Sequence, residues 1–262
     1  MSKEYVNIDE PIAPFVMWAS PKPKLMKSMM KSKRTPDGAQ KASAGESPYE
    51  RAKRVQMVDK DLRKAVSLFW AAINSGDRVD SALKDMTSVM RQLHRPMEAI
   101  EAIKSFRNLC SSHAQESLDN ILLDLYKTCN MIDDQIELMQ YKLRMVNKGL
   151  AFGGKMSKQG RSRGKKIHIS VDQEKSRLMG NLAWAYMHNG NYKDAEEYYR
   201  KSLSMESDPN KQCNLAICLL LAGKVTEAKS LLQEIRPSNI YKTESFAKSF
   251  KRASRILAEF ES

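Results

Sequence analysis

The sequence predicts an all-α fold: a solenoid of helical hairpins with a C-terminal capping helix, behind a basic, mostly disordered N-terminal tail. Three observations carry this. Glycine and proline are scarce, at 11 and 9 of 262 residues, in a chain that is 42% hydrophobic, so helix breakers punctuate the chain rather than dominate it. The stretch from Asn181 to Leu203 puts Leu182, Ala183 and Tyr186 on one helical face, breaks at Asn189-Gly190-Asn191, and restarts with Tyr192, Ala195, Tyr199 and Leu203. The same pattern returns elsewhere at a spacing close to 34 residues.

In chain order, residues 1–45 hold Pro11, Pro14, Pro21, Pro23 and Pro36 and no sustained period, with eight basic and four acidic residues. That composition predicts disorder. Phe15, Val16, Met17 and Trp18 form an apolar cluster within it, which reads equally well as a docking segment. "KRTPDGA", from Lys33, is good turn chemistry. Thr35-Pro36 is also a candidate phosphosite for a proline-directed kinase, and Ser20-Pro21 offers the same chemistry.

Residues 46–146 hold three helical hairpins and 172–241 two more. In the clearest copy, small Ala183 and Ala195 let two antiparallel helices approach, with Tyr186 and Tyr199 beside them. Thirty-three residues on, Asn214-Leu215-Ala216, Gly223, Val225, Ala228 and Leu232 repeat the frame. Upstream it is met by Met86, Met90, Ala99, Ile103 and Phe106, and before those by Leu62, Ala65, Phe69 and Ala72. A degenerate copy has Leu122, Leu123, Tyr126, Ile132, Met139 and Leu143, with Gln135 where the small residue belongs. This large-small-aromatic, glycine, aromatic-small-aromatic pattern resembles the tetratricopeptide repeat. The starts fall near 46, 80, 116, 176 and 209, so one gap of 60 residues stands among gaps of 34, 36 and 33. Residues 242–262 close the array: Phe246, Phe250, Ala253, Leu257 and Phe260 share a face, with Lys248, Lys251, Arg252 and Arg255 largely off it.

The surplus in the long gap is residues 147–171, with seven basic residues and no acid. Its "GLAFGGK" nearly matches a phosphate-binding loop. That loop needs a strand before it and a helix after it, whereas here a helical pattern precedes and Met156 takes the place of the magnesium-binding hydroxyl. Nucleotide binding is therefore not expected. Three readings stay open: a solvated flexible loop, a nuclear-import segment through Arg161, Arg163, Lys165 and Lys166, or a nucleic-acid contact, which a single aromatic, Phe152, serves poorly. With no core-like period, the loop is expected to be dispensable for folding.

No catalytic constellation emerges. His94, His113, His168 and His188 are scattered, and Cys110, Cys129, Cys213 and Cys218 make no C-x-x-C pair, so they read as reduced thiols at helix contacts. Neither metal nor cofactor is expected, and no enzyme. No hydrophobic run reaches transmembrane length and no secretory segment opens the chain, which predicts a soluble intracellular protein with no membrane role.

From about Ser47 to Leu257 the chain resembles a plant family, the pollenless-three and sulfur-deficiency-induced proteins. The resemblance rests on "SPYERAKRVQMVDKD", "AVSLFWAAINSGDRVDSALKDM", "AIEAIKSFRNLC", "QESLDNILLDLYK", "KGLAFGGK" and "NLAWAYMHNGNY". It implies action through protein contacts, in meiotic exit and pollen formation in one branch and in sulfur-starvation responses in the other. "LDNILLDLYK" with "KGLAFGGK" points to the first branch, and the expected site is the nucleus, with the cytoplasm second. In such arrays the first helix of each repeat lines the concave face. The frame puts Arg54, Lys84, Arg91, Asn120, Lys127, Arg177, Asn181, Trp184 and Asn214 there, a basic and amide surface suited to an extended or acidic peptide segment of a partner. Gly180 and Ser88 stand where a chaperone-type carboxylate clamp would want Lys or Asn.

Overall fold

The structure, a computed structural model, describes residues 45–162, 165–235 and 244–261. Eleven α-helices stand among these residues, in five hairpins and a final helix. The hairpins are α1 (Pro48–Arg54) with α2 (Leu62–Asn74), α3 (Val79–Gln92) with α4 (Pro96–Phe106), α5 (Ser112–Thr128) with α6 (Ile132–Asn147), α7 (Val171–His188) with α8 (Tyr192–Met205), and α9 (Pro209–Leu221) with α10 (Val225–Glu234). Helix α11 (Glu244–Glu261) follows.

Local chemistry sets the starts. Ser47 and Glu50 form a capping box at α1, with Pro48 in its first turn, and Ser170 with Gln173 does the same at α7. Asp61, Ser111, Asn191 and Asp208 cap α2, α5, α8 and α9 by accepting backbone N–H groups that no helical carbonyl reaches.

The repeat register is written in the turns. The residues equivalent to Gly190 in the five copies are Lys60, His94, Asn130, Gly190 and Gly223. All five are left-handed, with φ of 56°, 55°, 53°, 74° and 79°. In the last four, the next residue donates its N–H five residues back: Arg95 to Met90, Met131 to Tyr126, Asn191 to Tyr186 and Lys224 to Leu219, at 2.8–2.9 Å. This bond and the left-handed residue together end one helix and aim the next. Only the last two copies use glycine, which adopts that conformation without a Cβ penalty. The first helix is also irregular, since α1 runs on into a π-helical turn, Val55–Asp59.

The core comes in blocks. One apolar cluster joins repeats 1 and 2 to α5, through Phe69, Leu83, Met86, Ile100, Ile103 and Leu118. Another joins repeats 4 and 5 to α11, through Tyr199, Leu215, Ile217 and Phe246. Between them, α6 and α7 share a smaller cluster of Ile136, Met139, Leu143, Met179, Leu182 and Ala185. On α11, Phe246, Ala253 and Ile256 are buried, while Phe260, expected on the covered face, is 40% exposed. Burial pushes the thiols of Cys110 and Cys213 up to about 11 and that of Cys218 to about 12, so they stay protonated and unreactive.

Residues 147–171, expected as a basic flexible loop between repeats, carry regular structure. A 3-10 turn, Ala151–Gly153, leads into an antiparallel hairpin, β1 (Ser157–Ser162) and β2 (Lys165–Ser170). The alternation of Ile167, His168 and Ile169 suits a strand. Ala151 is buried against Val146 and Leu178, with Phe152 and Val171 beside them. Lys158 pairs with Glu116 of α5 at 2.8 Å and sits 4.5 Å from the centre of the Phe152 ring. The segment contacts the solenoid through these residues, so replacing it is expected to cost some stability. Arg161 and Lys166 are register partners, as are Ser162 and Lys165. Arg163 lies outside the described residues, as do Ser20, Thr35 and the cluster from Phe15 to Trp18.

Candidate interaction cleft

Three first helices each present one polar stripe at helical spacing. Helix α5 gives Asn120, Leu123, Asp124 and Lys127; α7 gives Glu174, Arg177, Asn181 and Trp184; α9 gives Asn210, Lys211 and Asn214. Steps of three and four residues keep each set on one face. Together they wall a cleft of about 620 Å³. Gln135 and Met139 of α6 and Tyr199 of α8 also line it, and the hairpin adds Lys158 and Ile169.

Six of the nine residues anticipated from the frame meet here: Asn120, Lys127, Arg177, Asn181, Trp184 and Asn214. Three do not. Arg54 on α1 is held by Glu46 at 3.0 Å, and Lys84 and Arg91 lie on α3, which is not part of this wall. Asp124, Asn210 and Lys211, each a helical turn from an anticipated residue, line the cleft without having been anticipated, and so do Lys158 and Ile169 of the hairpin.

The cations in the cleft are already engaged. Arg177 grips Glu174 with a two-pronged contact, Nε at 3.0 Å and Nη2 at 2.7 Å. Glu174 is 3% exposed. Burial pushes its carboxyl up, but the Arg177 hydrogen bonds and the nearby positive charges outweigh that and hold it below the usual range. The Glu174 hydrogen bond raises Arg177 in turn. Behind them, Lys142 donates to Asn120 Oδ1 at 3.0 Å; burial lowers its pKa. Burial raises that of Asp119, which Arg107 reaches at 2.7 Å. The Lys127 ammonium lies 4.5 Å from the centre of the Trp184 ring, and that ring meets His188 at a tilt of 34°, centres 3.8 Å apart.

Lys211 is threaded rather than displayed. Its Nζ donates to Ser176 Oγ at 2.7 Å, and Ser202 Oγ donates to the Ser176 carbonyl at 2.7 Å, tying α9, α7 and α8 together. A Cβ on residue 180 would come within 3.1 Å of Lys211 Cε. Gly180 is therefore the residue over which this lysine passes.

The groups left unspent are mostly amides. Asn181 is exposed and Asn214 half-buried, and neither side chain hydrogen-bonds another described residue. The Oε1 of Gln135 and the Oη of Tyr199 are buried without a hydrogen bond from the described residues. On the basic and amide surface anticipated from the frame, Arg177, Lys158 and Lys211 have internal partners, so the free capacity is mostly hydrogen bonding by amides. Among the described residues, no group of three or more His, Cys, Asp or Glu side chains could hold a metal ion, and no helix is long and apolar enough to cross a membrane.

Residues 176–209, which carry much of this wall, match the tetratricopeptide repeat family model. Over longer spans the chain is similar to three proteins of Arabidopsis thaliana. POLLENLESS 3-LIKE 2 is 54% identical over 225 residues, covering 85% of this chain and 52% of that protein. POLLENLESS 3 is 51% identical over 225 residues, with the same coverage. SULFUR DEFICIENCY-INDUCED 1 is 49% identical over 222 residues, covering 85% of this chain and 72% of that protein. The chain thus spans about half the length of the POLLENLESS relatives.

Proposed function

Because the chain belongs to the family of the POLLENLESS 3 and SULFUR DEFICIENCY-INDUCED proteins, a family built on a tetratricopeptide interaction scaffold, we propose that it is a non-enzymatic adaptor. In this reading it holds an extended segment of a regulatory protein across α5, α7 and α9, acts in the nucleus, and serves meiotic exit and pollen formation. The observation that carries it is the pair Asn181 and Asn214. They hold equivalent positions in successive first helices, face the same cleft, and keep both donor and acceptor unspent. A main chain in extended form presents N–H and C=O groups that such amides can satisfy. Since Arg177, Lys158 and Lys211 are held by internal partners, an extended shape counts for more here than an acidic sequence.

The test is capture from anthers at meiosis by the full chain and by the Asn181→Ala, Asn214→Ala double variant. Partners retained by the first and reduced about tenfold on the second, with helical circular dichroism unchanged, support the cleft. Equal capture by both would sink it. The second reading, a sulfur-deficiency regulator, draws on the 72% coverage of SULFUR DEFICIENCY-INDUCED 1. Transcript levels decide between the two: anthers at meiosis for the first, sulfur-starved roots and leaves for the second. A third reading, contact with nucleic acid, draws on the basic composition of the hairpin segment; binding of free RNA or DNA that weakens steeply with salt would favour it.

A further inference from the structure

The hairpin at the mouth of the cleft offers backbone groups of its own. Lys158 of β1 and Ile169 of β2 are register partners, and both line the cleft. Ile167, two residues along β2, shares their face and is 38% exposed. Lys166 and His168 take the opposite face and are exposed. The ladder fixes which backbone groups are free. One step beyond the strands, Val171 donates its N–H to the Met156 carbonyl at 3.2 Å. Bonded and unbonded pairs alternate in an antiparallel ladder. Ile169 and Ile167 therefore bond to β1, while Lys166, His168 and Ser170 turn their N–H and C=O groups outward. Ser170 spends its N–H on Gln173 Oε1 at 3.0 Å. Those of Lys166 and His168 have no backbone partner among the described residues, where the sheet has two strands and β2 is an edge. An open edge is a template for another strand.

Resting on the reading of the cleft as a seat for an extended segment, we propose that this segment leaves the cleft past Ile169 and runs on as a third strand along β2, and that this stretch alternates apolar and acidic residues. Its main chain bonds to Lys166 and His168. In a paired strand, side chains opposite one another share a face. One set of the segment's side chains thus meets Ile167 and Ile169, and the other meets Lys166 and His168. The first set calls for apolar residues. The second calls for acids: Lys166 is exposed and in no ion pair among the described residues, and residues 147–171 carry seven basic residues and no acid. Acidity belongs on the hairpin rather than in the cleft, where Arg177, Lys158 and Lys211 are already held. A second copy of this chain is a poor occupant. It would bring another lysine-bearing edge to the same place, and like charges facing each other across a strand pair are destabilising.

The experiment pans a phage-displayed random-peptide library on the full chain; enriched peptides are then synthesised and titrated. Proline removes one N–H, and at an outward position it leaves the bonds between β1 and β2 in place. The proteins are therefore the natural chain, His168→Pro for the β2 edge, Gln159→Pro for the β1 edge, and the Asn181→Ala, Asn214→Ala double variant. Enriched peptides are expected to contain a stretch of alternating apolar and acidic residues. His168→Pro should weaken their binding about tenfold, and Gln159→Pro should leave it unchanged. Methylating the peptide's backbone nitrogens one at a time, against the natural chain, should cost binding at every second residue of that stretch. This arm holds even where a proline variant folds poorly. Peptides that need Asn181 and Asn214 but ignore His168→Pro and show no two-residue period overturn the third strand and leave the cleft reading intact. A greater loss with Gln159→Pro than with His168→Pro overturns it too, by placing the segment on the other edge. No enrichment, or binding indifferent to the two asparagines and to His168→Pro alike, overturns both.

Discussion

Between repeats 4 and 5, Ala195, Tyr199, Cys213 and Ala216 meet with almost no exposure, and Ser202 bonds to Ser176 to draw α8 onto α7. Between repeats 3 and 4 the same frame positions hold different chemistry. Gln135 replaces Ala195 and Lys142 replaces Ser202; both are buried, Lys142 within the field of Asp119 and Glu174. A serine pair and a methyl group let helices close on each other. A glutamine and a lysine bring longer side chains that demand partners; the lysine finds Asn120 and nearby carboxylates, while the glutamine's Oε1 is left without a donor among the described residues. The seam that departs most from the repeat pattern is the one that takes the insertion and contributes Gln135 and Met139 to the cleft. Departure from the consensus at buried positions thus marks where the array has been adapted, while the conforming seam supplies rigidity.

The largest test of this contrast is to move the polar residue into the tight seam. Ala195→Gln should cost about 3 kcal/mol in urea denaturation, from overpacking and an unpaired amide together; a loss under about 1 kcal/mol would mean that both seams have the same slack. Next comes the insertion. Replacing residues 148–170 by a Gly/Ser linker removes buried Ala151 and the Ser170 cap, for a loss of about 2 kcal/mol. Replacing only 157–169 forfeits a partly exposed ion pair and should cost less than about 1 kcal/mol. Equal losses would show that the hairpin itself, rather than its base, braces the seam.

Acid should expose the polar seam specifically. Glu174 has a folded pKa below its ordinary value of 4.5, so its contribution is complete above that value and is lost as pH falls through the depressed one. Glu174→Gln should flatten that part of the stability profile between neutral and acidic pH, read from urea midpoints. An unchanged acid limb would place the sensitivity elsewhere. The smallest effect concerns the turns. His94→Gly relieves a left-handed non-glycine residue and should add about 0.5–1 kcal/mol, while Gly190→Ala should subtract about 1 kcal/mol.

Periodicity made the five hairpins legible, because each needs one apolar face of fixed spacing. It also gave the angular position of the cleft residues, which is why Asn181, Trp184 and Asn214 were within reach. It did not say which repeats enclose space, so Arg54, Lys84 and Arg91 were placed with them. The hairpin was obscured because glycine, serine and lysine dilute a two-isoleucine alternation. The turns at Lys60, His94 and Asn130 were hidden because no glycine marks them; their positive φ shows only in the backbone.

Those turns also bear on how the array comes apart. A non-glycine residue in the left-handed region costs about 1 kcal/mol more than glycine, a factor of roughly five in a local opening equilibrium. The three costlier turns all lie in the first three repeats, and both glycine turns lie in the last two, beside the covering helix. In a linear array each hairpin leans only on its neighbours, so this uneven distribution gives unfolding a direction. Amide protons of α1 to α4 should exchange with solvent sooner than those of α8 to α10, with fraying entering at the amino-terminal end and slowing as it reaches the glycine turns.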